Sequence, residues 1–229
     1  MTTPTLDQPA VQSVLKREHA RSKEDGAKMA AVRPHMDAEK ARGLSTEQIN
    51  TLYPKDVYLS ITPDMGRFLY LAALSQGVRA IVEFGTSFGI STLYLAAAAR
   101  ETGGRVIASE IEPSKAAHAA ENFEEAGLAD WIELRQGDAL ETLRDIEAPV
   151  ELLFLDGWKD QYVPVLKMME PKLAPGALVI ADNIFTFPDE LKSYMDAVSD
   201  PAGPYRSVIL PFESGLGYSL YQEAEDTSP

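Results

Sequence analysis

Cysteine is absent from the 229 residues. That excludes disulfides, thiolate-bound zinc and a cysteine nucleophile, and it agrees with a reducing compartment such as the cytoplasm. Histidine is scarce: His19, His35 and His118 are its three occurrences, at spacings that match no metal-ligand motif. Basic residues are outnumbered, 21 Lys and Arg against 35 Asp and Glu, for a formal charge of -14. A chain so acidic repels phosphodiester backbones, so no nucleic-acid partner is expected. No apolar run approaches the roughly 18 residues of a membrane span, and the start lacks a charged segment followed by an apolar one. The expectation is a soluble cytoplasmic protein with no membrane partner. There is also no internal repeat and no low-complexity segment.

What is present is a long stretch of regular alternation. Apolar residues make up 45% of the chain, enough for one domain with a sizeable core. The expected organisation is a helical leader over residues 1–44, a main unit over 45–222 and a loose acidic tail over 223–229. Val11 to Arg33 is charge-rich with few apolar anchors (Val14, Leu15, Met29, Val32), which predicts a helix packed on something other than its own core. A lid, a dimer arm or a frayed tail would each fit. Pro34 is expected to break that helix, with a second segment running to Gly43. Ser45 to Gln48 has capping-box spacing for another short helix, and Thr62-Pro63-Asp64 reads as the cap of a helix ending near Gly77.

From residue 80 onward, strands expected at 80–84, 105–109, 131–135, 150–155 and 177–181 alternate with helices over 90–100, 113–127, 139–146, 161–169 and 189–198. This is an α/β pattern, a parallel sheet covered by helices on both faces. Two further strand-like runs, 205–210 and 216–221, are joined by Pro211-Phe-Glu-Ser-Gly215 and read as a hairpin, so the last strand should run antiparallel to the others.

The chemistry-bearing residues cluster at strand ends. The apolar run Leu152 to Leu155 finishes in Asp156-Gly-Trp158-Lys159-Asp160, and Ala177 to Ala181 finishes in Asp182-Asn183. If these strands are neighbours, Asp156, Asp182 and Asn183 converge with Lys159 beside them, and three hard oxygen donors suit Mg²⁺ or Ca²⁺ better than zinc. The plain alternatives are that the acids cap the following helices and that Lys159 pairs with Asp160.

The first strand ends in Glu83-Phe-Gly85-Thr86-Ser-Phe-Gly89-Ile-Ser91, a strand-to-helix turn with two glycines spaced G-x-x-x-G. The spacing departs from the dinucleotide fingerprint and, alone, marks a tight turn as readily as a nucleotide site. Glu83 would oppose a pyrophosphate but favour a cofactor carrying positive charge, such as the amino and sulfonium groups of S-adenosylmethionine. Glu110, 21 residues beyond Gly89, ends the next strand where an acid takes ribose hydroxyls in this architecture. Glu112 competes with it but also reads as a helix-start acid. Asp138-Ala139 can meet the adenine edge, with Asp138 equally readable as a helix cap.

Taken together, Glu83-x-Gly85-x-x-x-Gly89-x-Ser91, Glu110, Asp156-x-x-Lys159-x-x-Tyr162 and Ala181-Asp182-Asn183 resemble the divalent-metal-dependent O-methyltransferases of the catechol O-methyltransferase type. The likeness covers roughly residues 60 to 221. It implies a Rossmann-like methyltransferase sandwich with a seven-stranded sheet and a reversed last strand. It also implies S-adenosylmethionine as donor and Mg²⁺, Ca²⁺ or Mn²⁺ at Asp156, Asp182 and Asn183. Lys159 would be the base. Glu83, Gly85, Thr86, Gly89, Ser91, Glu110, Asp138, Ala139 and Asp156 would line the donor, with Ile61 at its methionine end and Trp158 between donor and a small aromatic hydroxylated acceptor. Lys159 and Asn183 would face that acceptor, and the leader helices would pair subunits in a homodimer.

The sequence departs from catechol-selective relatives in two places. Those relatives carry an acid shortly before the final hairpin turn, where this chain reads Val208-Ile-Leu-Pro211 with Glu213 only in the turn itself. Gly157 also stands where they have a bulkier polar residue, which leaves the adenine side looser.

Overall fold

The computed structural model describes residues 3–44, 48–49, 51–147 and 149–222. The expected capping box at Ser45 to Gln48 lies mainly outside these residues, as does the tail from 223 to 229.

Seven strands, β1 (Ala80–Phe84), β2 (Arg105–Glu110), β3 (Ile132–Gln136), β4 (Val150–Leu155), β5 (Leu173–Ala181), β6 (Tyr205–Leu210) and β7 (Leu216–Tyr221), form one sheet in the order β3-β2-β1-β4-β5-β7-β6. The first five run parallel, and β7 lies antiparallel against both β5 and β6. Period-2 alternation sorts the buried side chains between two cores. Ile81, Val106, Leu152 and Phe154 point to one face, while Val82, Phe84, Leu153 and Leu155 point to the other.

Among the described residues eight α-helices accompany the sheet: α1 (Pro9–Ser22), α2 (Asp25–Ala41), α3 (Pro63–Gln76), α4 (Ile90–Thr102), α5 (Pro113–Glu125), α6 (Ala139–Thr142), α7 (Tyr162–Met169) and α8 (Lys192–Ser199). Helix α3 begins as its sequence dictates: Thr62 Oγ1 accepts the Met65 N–H at 3.3 Å, Pro63 fills the first turn, and Gly77 ends the helix in the left-handed conformation. Strand β5 starts earlier than the apolar run alone marks, and α6 is a single turn.

The leader differs from its sequence reading in two respects. The break falls at Lys23–Glu24, and Pro34 sits inside α2. Pro34 removes one helical bond, to the carbonyl of Ala30, but both residues are exposed, so the freed carbonyl is open to solvent. In addition, α1 packs on this domain's own core: Val11 and Val14 are fully buried and Leu15 nearly so, within the cluster that holds α3 and α4. Three anchors on one helical face suffice once the charged residues find partners, as Arg17 does with Glu125 on α5 at 2.6 Å. Among the described residues no helix is long and apolar enough to cross a membrane.

Candidate functional site

Register places the candidate residues in a row. Phe84 pairs with both Ser109 and Leu155, and Leu155 pairs with Ala181. The next residues along, Glu110, Gly85, Asp156 and Asp182, therefore follow one another along the carboxyl edge of four adjacent parallel strands, the edge where open α/β sheets bind ligands.

Gly85 is required there. Its φ is +95°, and a Cβ at this position would sit 2.5 Å from the Gly157 nitrogen and 2.6 Å from the Asp156 carbonyl carbon. The turn after β1 thus lies directly against the segment after β4. Gly157 is explained the same way: a side chain there would collide with the Phe84 ring. The Phe84 ring occupies the space that a side chain at Gly157 would take.

Glu83 is fully buried under the turn. Its carboxylate accepts hydrogen bonds from Ser91 Oγ at 2.5 Å, from Thr92 Oγ1, and from Thr86 Oγ1 at 3.5 Å. Burial pushes its pKa up to about 7 against the opposing pull of these three hydroxyls. Glu110 accepts the Ser87 N–H at 2.6 Å and the Glu112 N–H at 2.8 Å, so its carboxylate is fixed at the lip of the same turn. Its competitor Glu112 caps α5 through Ser114 and pairs with Lys55 at 3.1 Å, as a helix-start acid would. Asp138 caps α6, accepting the Leu140 N–H at 2.8 Å, and Ala139 is buried behind it. Ile61 is buried ahead of α3 in the cluster that contains Tyr58 and Phe88.

At the other end of the row, Lys159 turns away from Asp160 and toward Asp156, with Nζ 3.6 Å from Oδ1. Its ammonium also donates to the Gly157 carbonyl at 2.9 Å and to Tyr162 Oη at 3.0 Å, and Tyr162 Oη donates in turn to the Asp182 carbonyl at 3.2 Å. Burial lowers the lysine's affinity for its proton against the pull of Asp156 and Asp182. Asp156 moves the opposite way: burial first, then the charge of Asp182, lift it well above the usual carboxylate range. Asp182 is raised by burial as well, although Ser214 Oγ and the Asn183 N–H each donate to its Oδ1 at 2.6 Å. Asn183 takes a left-handed backbone conformation, φ 71°, and its amide reaches Asp182 Oδ2 at 3.2 Å. No group of three or more histidine, aspartate or glutamate side chains placed to hold a metal occurs among the described residues. The oxygen set here is two carboxylates and one amide.

The structure therefore gathers Asp156, Trp158, Lys159, Asp182 and Asn183 at one end, and Glu83, Thr86, Ser91 and Glu110 at the other, joined through Gly85. Four contributors escaped the sequence reading. Tyr53 meets Trp158 at 5.1 Å between ring centroids, Phe187 lies 5.6 Å from the Lys159 ammonium, Thr92 adds to the hydroxyl cage, and Ser214 reaches in from the hairpin turn. Glu213, the acid of that turn, is exposed. Phe187 stands four residues past Asn183, which was a usable signal; Tyr53 carried none.

Residues 82–184 match the family described as a methyltransferase domain. A catechol O-methyltransferase from Niastella koreensis is 33% identical over 130 residues, covering 55% of this chain and 58% of that protein. One from Mycobacterium tuberculosis is 34% identical over 127 residues, covering 55% and 57% respectively. The chain thus spans less than two thirds of the length of these curated relatives. Among solved structures, an O-methyltransferase from Bacillus cereus in complex with SAH superposes with a TM-score of 0.66 at 26% identity, covering 77% of this chain and 89% of that one.

Proposed function

We propose that the chain is a class I methyltransferase of the catechol O-methyltransferase type, which its match to a methyltransferase domain over residues 82–184 and its likeness to two catechol O-methyltransferases support, and that it moves a methyl group from S-adenosylmethionine to a hydroxyl of a small aromatic acceptor. The observation that carries the reading is the contact of Gly85 with Asp156 and Gly157. In this reading the donor turn and the Asp156–Lys159 pair are two walls of one site, which that close approach supports. Residues 45–222 form the catalytic unit in this reading, with residues 1–44 as its helical extension, in a cytoplasmic homodimer.

The donor end suits a cation. Glu83 is a buried carboxylate with no basic partner among its hydrogen bonds, and Glu110 is held by backbone donors where it can accept ribose hydroxyls. At the acceptor end the donor set fits a hard divalent ion: Asp156 and Asp182 are buried like charges whose repulsion a dication would relieve, and Asn183 adds a neutral oxygen. Bound there, Mg²⁺ or a similar ion would supply Lewis-acid stabilisation of an acceptor oxygen as it loses its proton. That help matters, since forming a phenolate at pH 7 from a phenol of pKa near 10 costs about 4 kcal/mol.

The remaining work falls to this chain's side chains. Lys159, whose burial favours the neutral amine, takes the hydroxyl proton, while Tyr162 and the Gly157 carbonyl keep its nitrogen aimed. The oxygen then attacks the methyl carbon as the carbon–sulfur bond breaks, leaving the donor as a neutral thioether. Trp158, Tyr53 and Phe187 supply flat apolar surface for an aromatic acceptor. Positioning two reactants in this way is worth on the order of 7–11 kcal/mol in favourable cases. A screen of catechols and other phenols with labelled donor tests the proposal. Transfer to at least one phenolic oxygen is expected, and donor binding without transfer to any of them would sink it.

A second reading, methyl transfer without a metal, draws on one observation: both Asp182 oxygens already accept hydrogen bonds within the chain. In that case the two acids order the loop after β5, and a chelator would leave the rate untouched.

A further inference from the structure

Residues 55–59 cross from the N-terminal helices to the donor turn. Lys55 pairs with Glu112 at 3.1 Å, and Asp56 pairs with Lys28 of α2 at 2.8 Å. The Val57 carbonyl accepts Lys115 Nζ and the Leu59 N–H donates to Asp25 Oδ2, both at 2.8 Å. At the centre, Tyr58 is buried and touches the turn twice. Its ring stacks on Phe88 at 4.0 Å between centroids and 22° between planes, and its carbonyl accepts Ser87 Oγ at 2.7 Å. Ser87, at φ 48°, is the residue whose N–H holds Glu110.

The hydroxyl of Tyr58 points the other way, toward α1, and donates to Glu18 Oε2 at 2.6 Å. Glu18 is fully buried. Arg17 Nε at 2.6 Å and Arg21 Nη1 at 3.1 Å donate to its Oε1, and His118 Nε2 lies 3.2 Å from Oε2. Two further paths lead from this cluster to the same turn. His118 meets the Phe88 ring edge-on at 5.1 Å, and Arg17 Nη2 donates to Asn122 Oδ1 at 2.6 Å while Asn122 Nδ2 donates to the Phe88 carbonyl at 2.9 Å. A buried carboxylate with four polar neighbours is costly to assemble unless all are satisfied, and here the neighbours bear on Ser87 or Phe88 through Tyr58, His118 or Asn122, Arg21 through its 3.4 Å contact with His118.

We propose that Glu18 is a positioning residue for the methyl donor: by anchoring Tyr58, it holds Ser87 and Phe88 in the shape that presents Glu110 to the donor's ribose. The inference rests on the donor reading above. It gives α1 a role in donor binding although no part of that helix belongs to the strand edge where the donor sits.

Tyr58→Phe in the full chain is the sharpest test, because it keeps the ring stack and the Tyr58 carbonyl and removes the hydroxyl, and with it the bond to Glu18, which retains its other partners. Glu18→Gln is the complementary variant. Titration with S-adenosylhomocysteine well below the melting temperature should show either variant binding about five- to tenfold more weakly, with the double variant little worse than the weaker single one. The KM for the donor should rise in step while kcat at saturating donor stays within about twofold. Variants that melt earlier yet bind the ligand as the unaltered chain does would overturn the inference and leave the donor reading intact. Failure of the unaltered chain to bind the ligand would refute both. If Glu18→Gln does not fold, Tyr58→Phe decides alone.

Discussion

Lowering the pH is the perturbation that speaks most directly to the donor end. Glu83 is held at a pKa of about 7 by burial, against an ordinary value of 4.5. The gap is roughly 2.5 units, or about 3 kcal/mol of preference for the protonated form in the folded chain. Since the folded value lies above the unfolded one, this contribution to stability is complete below pH 4.5 and is lost as pH rises through 7. A donor ammonium placed by Glu83 reverses the preference, because an adjacent positive charge favours the carboxylate. Binding of S-adenosylhomocysteine at pH 6 must then release close to one proton. Its affinity should fall about tenfold per pH unit below 7. Calorimetry in two buffers of different ionisation enthalpy counts the proton, and titration from pH 5.5 to 8 gives the slope. Glu83→Gln, which can still bond Ser91 and Thr92, should abolish both effects and bind more weakly at pH 8. Affinity that is flat with pH in the unaltered chain, or an unchanged slope in Glu83→Gln, would refute the role assigned to this carboxylate.

Three substitutions probe other parts of the account. Lys159→Met should reduce kcat by about 10²–10⁴-fold, the usual range for a lost general base, while leaving the affinity for S-adenosylhomocysteine nearly unchanged. Gly85→Ala forces a Cβ to 2.5 Å from the Gly157 nitrogen at a φ of +95°; donor binding measured by calorimetry should be lost and the melting temperature should drop. Leu15→Ala should destabilise the chain by about 2–4 kcal/mol in urea unfolding if α1 is part of the core, whereas a loosely docked helix would lose under about 0.5 kcal/mol.

Much of the site was legible because buried parallel strands leave a plain trace. An apolar run that stops at Asp156 or at Asp182 marks a strand end on the ligand-binding edge, and the glycine turn after Glu83 marks another. The position of Glu110 followed from the same logic, and the structure distinguishes it from Glu112 by giving the latter a cap to form and a lysine to pair with. Contacts made across the chain left no such trace. Glu18 reads as one more surface charge on a polar helix, and only the arrival of Tyr58 from 40 residues away and His118 from 100 shows it to be buried. Tyr53 gave no sign of facing Trp158, and Phe84 gave none of filling the space beside Gly157. Pro34 misled because the penalty for an interior proline depends on whether water reaches the freed carbonyl, which local sequence does not reveal.

The most direct trial of the central claim is methyl transfer from S-adenosylmethionine to a catechol, measured before and after chelation of divalent ions and again after Mg²⁺ is restored. The account predicts that activity disappears with the chelator, returns with Mg²⁺, and is absent throughout in Asp156→Ala. Undiminished transfer in excess chelator would contradict it, leaving Asp156, Asp182 and Asn183 as residues that shape a loop.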